Sequence, residues 1–259
     1  MRSLVTFAAL IVALPALGAG PLPSCPSGAG KPDVAALVER TQHLLEGTSS
    51  VATMTMQIRG PTWSRHLKMK VWTKGRDYAL VRVLEGSPRE TGMMTLKRER
   101  QLWDYLPLAG RVMKLPSAMM GDSWMGSDFT NDDLVKGSSL VDDFTAKLTG
   151  AVQADGHQAW RIVLAPKPSS TVVWSRIELD LDRTTCLPVE QRFYDDEGKI
   201  ARTLRYSDFR KIGARDFPTT FTVLPSEKGH STTVTYDEIV FDVPIADETF
   251  SLQRLQRGR

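Results

Sequence analysis

Two cysteines and four histidines in a chain of 259 residues leave little material for metal or thiol chemistry. His43, His66, His157 and His230 are scattered, none pairs with another at metal-ligand spacing, and no cysteine accompanies them as common zinc patterns require. Each reads as an ordinary core or surface histidine. The chain has no G-x-S-x-G elbow, no H-E-x-x-H and no glycine-rich phosphate loop, which sets aside the familiar hydrolase, metalloprotease and nucleotide-binding patterns. Asp128, Asp132 and Asp133 hint at a calcium loop but lack the glycine and terminal glutamate of an EF-hand, so they read as a solvated acidic loop. Charge of one sign is scarce as well. Lysine and arginine number 33 against 30 aspartates and glutamates, with the signs interspersed, whereas nucleic-acid binding needs a clustered basic face. The expectation is of no catalytic residue, no metal, no cofactor and no nucleic-acid partner.

Long apolar runs are missing except at the start. Arg2 precedes an apolar stretch over residues 4–17, followed by the small residues Gly18, Ala19 and Gly20. This is too short for a spanning helix and has the make-up of an export signal, residues 1–19. Two readings of the cysteines then stand. An exported compartment allows Cys25 and Cys186 to pair. Alternatively, Leu22, Pro23, Ser24 and Cys25 resemble a lipobox, in which the signal extends to residue 24, Cys25 is acylated and the protein is anchored to a membrane; Pro23 departs from the small residue usual there. Residues 20–31, rich in proline, serine and glycine, read as a flexible linker, and 32–259 as one domain.

The mature chain opens with one amphipathic helix over 32–46. Val34, Leu37, Val38, Leu44 and Leu45 form its apolar stripe, Pro32 and Asp33 suit its first turn and Gly47 its end. Nearly everything after it alternates with period two. Met54, Met56 and Ile58 face one way in 51–59, and Leu67, Met69 and Val71 do the same in the next strand, across a turn at Gly60 and Pro61. Further strands are predicted over 78–84, 91–97, 102–106, 111–115, 144–153, 159–165, 172–182, 189–194, 199–209, 217–224 and 232–241. That makes about a dozen in an antiparallel meander with turn residues between them. The rhythm breaks between 116 and 143, where Met119, Met120, Trp124, Met125 and Phe129 lie among glycines and aspartates, with one helical turn at 131–136.

The run MTMQI, the turn QLWDYLP, the stretch MMGDSWMGSDFTNDDL, the hairpin FYDDEGK and the closing YDEIVFDVPIADETFS resemble, in their order and spacing, the outer-membrane lipoprotein-sorting protein superfamily, its LolA-like and LolB-like exported proteins. The resemblance implies a mainly β fold with few helices, an incomplete antiparallel β-barrel (half-barrel) under a helical lid. It also implies a cavity for acyl chains, a periplasmic location, and as partners a lipid or acylated protein together with an inner- or outer-membrane protein. Relatives of similar fold that sense envelope stress supply an alternative, a protein-binding module; an uncharacterised hydrolase is a remoter one.

A half-barrel must cover its apolar face, since each exposed Å² costs about 25 cal/mol, and one helix is thin cover. Lipid-binding candidates are therefore the inward residues Met54, Met56, Ile58, Leu67, Met69 and Val71, with Trp103, Met94, Leu96 and Met113 less firmly placed. The adaptable side chains Met119, Met120, Trp124 and Met125 of the interrupting segment join them as lid or cavity wall. The basic stretches at 97–100 and at Arg202, Arg205, Arg210 and Lys211 read as the wet face of a sheet.

Overall fold

The computed structural model describes Cys25 and residues 32–136, 139–170 and 172–258; the expected signal sequence and most of the linker lie outside these. Helix α1 (Val34–Glu46) is started by Asp33, whose side chain accepts hydrogen bonds from the backbone of Ala35 and Ala36. It stops at Gly47, at φ 64°, a conformation that glycine adopts without the penalty of a Cβ.

Among the described residues thirteen strands follow. The first six are β1 (Ser49–Arg59), β2 (Ser64–Lys74), β3 (Tyr78–Glu85), β4 (Met94–Arg98), β5 (Gln101–Leu106) and β6 (Arg111–Lys114). After an irregular stretch containing α2 (Asn131–Lys136) come β7 (Phe144–Ala154), β8 (His157–Pro166), β9 (Arg176–Asp182) and β10 (Pro188–Tyr194). The series ends with β11 (Ile200–Ile212), β12 (Arg215–Pro225) and β13 (Ser231–Phe241), before a 3₁₀ turn, Asp247–Phe250, and α3 (Leu252–Arg257).

All thirteen strands form one antiparallel sheet in the order β6-β5-β4-β3-β2-β1-β13-β12-β11-β10-β9-β8-β7. It is an open half-barrel. Each hairpin neighbour pairs with the next, and β1 closes against β13 with Met54 opposite Tyr236 and Met56 opposite Val234. The two edge strands, β6 and β7, are consecutive in the chain. The chain between them, described over 115–136 and 139–143, therefore links one margin of the trough to the other, and its first part lies across the trough's mouth.

Cover on the concave face is divided. Leu37 and Val38 of α1 pack on Ile162, Leu164, Ile177, Leu179 and Phe193 of the C-terminal strands. At the helix end, Leu45 meets Ala52, Phe217 and Ile239. The N-terminal strands bury Met56, Ile58, Leu67 and Met69 beneath Trp124, Met125, Phe129 and Leu134 of the crossing segment. Cys25 is joined to Cys186 by a disulfide and packs against the cluster under α1. This pairing corrects the acylation reading of Cys25, because the sulfur that a thioether would need is already bonded.

The convex face carries a second apolar cluster. Leu96 pairs with Leu80 on one side and Trp103 on the other, and these side chains, with Met94, pack against Phe250, Leu252 and Leu255. Trp103, Met94 and Leu96 were expected inside the trough; they lie outside it, under the C-terminal turn and α3. Their neighbours Val81 and Thr95 carry the opposite parity and face inward, because successive strand residues alternate sides.

Candidate functional site

Between the N-terminal strands, the crossing segment and the C-terminal strands lies a cavity of about 740 Å³. One wall is Met54, Val71, Thr73, Ala79 and Val81 of β1 to β3; the roof is Met120, Trp124, Phe129 and Leu134. The far wall brings Leu204, Phe221, Val234 and Tyr236 from β11 to β13, with Trp174 and Phe193 near the mouth. Of the residues picked from sequence, Met54, Val71, Met120 and Trp124 line this space. Met56, Ile58, Leu67 and Met69 are fully buried deeper in the same cluster and do not reach it. Met125 packs on that cluster too, and Met119 is exposed at 38%.

Three polar anchors hold the roof. Trp124 donates its indole Nε1–H to Thr95 Oγ1 at 3.3 Å, and that hydroxyl donates to Asp104 at 2.7 Å. Burial pushes the Asp104 carboxyl up, with the Thr95 hydrogen bond pulling the other way. At the lower end Arg65 pairs with Glu90 and donates to the carbonyl of Met125, while Asp128 exchanges hydrogen bonds with Thr232. Met125 itself sits at φ 51°, a left-handed conformation that a long side chain adopts only when its surroundings enforce it.

The third anchor is a fork-to-fork ion pair. Arg202 donates from both terminal nitrogens to the two oxygens of Asp133, each at 2.7 Å, and Asp133 also accepts from Thr130. The guanidinium lies over the Trp174 ring at 4.7 Å and the Phe193 ring at 4.6 Å. The aspartates that suggested a calcium loop are thus engaged otherwise, Asp128 by Thr232 and Asp133 by Arg202. Among the described residues no group of three or more histidine, cysteine, aspartate or glutamate side chains could hold a metal ion. Two further charged groups are shifted, Glu46 of the cavity lining and Lys97 of β4. Burial raises the Glu46 carboxyl, partly offset by Arg76 at 3.4 Å, and burial lowers the Lys97 ammonium. Burial also pushes the Tyr236 phenol up to about 12.

The Asp133 latch has a definite pH signature. Burial pushes this carboxyl up, but the Arg202 fork and the Thr130 donors outweigh burial and hold it below its ordinary 3.8. A carboxylate depressed in the folded state contributes stability that is complete above its unfolded pKa and fades as pH falls through the lower, folded one. Amide exchange in α2, corrected for intrinsic rates, is expected to stay equally protected from neutrality down to the ordinary carboxylate range and to lose protection only below it. Loss of protection already at mildly acid pH would show that some other contact holds the roof.

Sequence reasoning missed the far wall. Arg202, Leu204, Phe221, Val234 and Tyr236 follow the same alternation that exposed Met54 and Val71. Arg202 was instead grouped with Arg205 as a wet basic stretch, although residues three apart on a strand face opposite ways.

A family model described as that of an uncharacterized protein matches residues 75–257, the larger part of the chain. The chain belongs to this family. No curated protein matches it in sequence. Among solved structures, a DUF1329 family protein from Desulfovibrio piger superposes with a TM-score of 0.76 at 22% identity, covering 85% of this chain and 97% of that one. A putative outer membrane lipoprotein-sorting protein domain from Vibrio parahaemolyticus gives 0.73 at 20%, covering 86% and 98%. A LolA superfamily protein from Nitrosomonas europaea gives 0.70 at 18%, covering 86% and 100%. The family member described here therefore has the LolA-superfamily fold, as its sequence resemblance implied. Among its described residues no helix is long and apolar enough to cross a membrane.

Proposed function

We propose that this protein is a periplasmic carrier or transporter-associated accessory protein that binds the acyl chains of a lipid or lipid-modified protein between the half-barrel and the crossing segment, and exchanges them with a membrane partner. One observation carries the reading: a space of about 740 Å³, walled mainly by aliphatic, methionine and aromatic side chains, lies under a roof fastened by a few polar contacts. Small-molecule sites fall at about 300–1,000 Å³ with apolar walls and a few placed polar groups, and methionine walls repack around flexible guests. Fold kinship with the lipoprotein-sorting superfamily agrees with this use, and the signal-like residues 1–19 agree with export. Transfer needs no covalent step, only a difference in affinity among donor, carrier and acceptor.

Native mass spectrometry of protein purified from its own envelope is expected to find bound lipid, and the emptied protein should take up a fluorescent fatty acid. Ala79→Trp fills the space from a wall without altering charge, so it is expected to weaken long-chain probes more than short ones. Empty protein together with no uptake by the wild type would end the proposal.

A further inference from the structure

We infer that Arg202 is the receptor for an anionic head on the guest, and that Asp133 is an internal surrogate occupying the receptor while the site is closed. This rests on the acyl-binding reading and deepens it by naming a ligand class, a single acyl-tailed oxyanion such as a carboxylate or phosphate.

The argument begins with placement. Arg202 is the one cation among the described residues that line the cavity, and its side chain is 13% exposed. It is fixed from the β11 side, since the strand, Trp174 and Phe193 position the guanidinium. Its anion comes from elsewhere, from α2 in the crossing segment. Opening the roof wide enough to admit a guest withdraws Asp133 and leaves Arg202 in position without its partner. A desolvated cation stripped of its counter-ion is strongly unfavourable, and a planar fork fits a carboxylate or phosphate with two parallel hydrogen bonds. An incoming oxyanion replaces what the roof removes, with its chain directed along the apolar wall at Leu204, Phe221 and Val234. The same exchange couples head binding to release of the roof.

The test compares a dansyl-labelled undecanoic acid with its methyl ester on the full chain. Wild type is expected to favour the acid by about tenfold or more, the scale of a charge-assisted bidentate contact. Arg202→Gln should erase that preference, leaving acid and ester alike. Asp133→Asn weakens the internal competitor and should widen the preference, an effect of opposite sign that misfolding cannot mimic. Competition against the acid probe by oleate, methyl oleate, dioleoyl phosphatidylglycerol and dioleoyl phosphatidylcholine identifies the head. Displacement by oleate alone assigns a carboxylate, and by the phospholipids as well a phosphate; methyl oleate, which has no oxyanion, competing as strongly as oleate counts against the inference. Equal binding of acid and ester by the wild type overturns it while leaving the acyl cavity standing. Binding of neither probe removes both.

Discussion

Asp180→Ala is expected to lower stability by about 3 kcal/mol, read as a fall in the denaturant midpoint at an unchanged slope. Asp180 lies on the convex face of β9 yet has no solvent exposure. Its carboxylate receives both arms of Arg161 at 2.8 Å and one from Arg192, and these arginines come from the flanking strands β8 and β10. Glu178 and Glu190 extend the network to Arg176 and Arg205. Removing the central carboxylate leaves four arginines around two glutamates and strips two of their best-aligned partner. Because Arg161 and Arg192 keep some contact with water, the loss falls at the lower end of what breaking a buried pair costs. Asp180→Asn preserves the shape and some hydrogen bonds and should lose about half as much. A loss well under 1 kcal/mol for the alanine variant would mean that solvent substitutes for the network.

Trp124→Asp is expected to lower acyl-probe uptake by more than tenfold while the sheet stays folded by circular dichroism. The indole is 7% exposed, roofs the cavity, and reaches Asp104 through Thr95. Truncating a buried tryptophan removes packing worth about 3–5 kcal/mol, and here that falls on a segment fastened by few contacts. The new carboxylate would also sit near Asp104, whose own carboxyl burial already pushes up from its ordinary value. Trp124→Phe keeps most of the apolar volume and should retain most uptake. If the aspartate variant binds the probe as the wild type does, the guest does not lodge beneath this roof.

Much of the architecture was legible because period-two alternation survives in nearly every strand, and because Asp33 and Gly47 bracket α1 with ordinary capping chemistry. Asn131–Lys136 was likewise readable as a helical turn. The C-terminal α3 was not. It has six residues, LQRLQR, too few for a convincing apolar stripe, and it is steadied by packing of Leu252 and Leu255 on the convex cluster. Missing it also misplaced Trp103, since a greasy residue on a half-barrel was assumed to face the trough when the outer side had cover of its own. In 172–182 only Arg176–Asp182 is strand; Val172, Val173 and Trp174 before it meet the cavity. Spacing along the chain could not reveal the Asp133 and Arg202 pair, whose members are 69 residues apart and meet only because the crossing segment lies over β11.

That segment departs from one margin of the sheet and arrives at the other, so it acts as a drawstring as well as a roof. A bulky guest that spreads the walls must lengthen the path between β6 and β7, and the described part of that path offers its turns and short helices as slack. Under the acyl-binding role proposed above, filling is therefore felt at both rims together, at a distance from the guest itself.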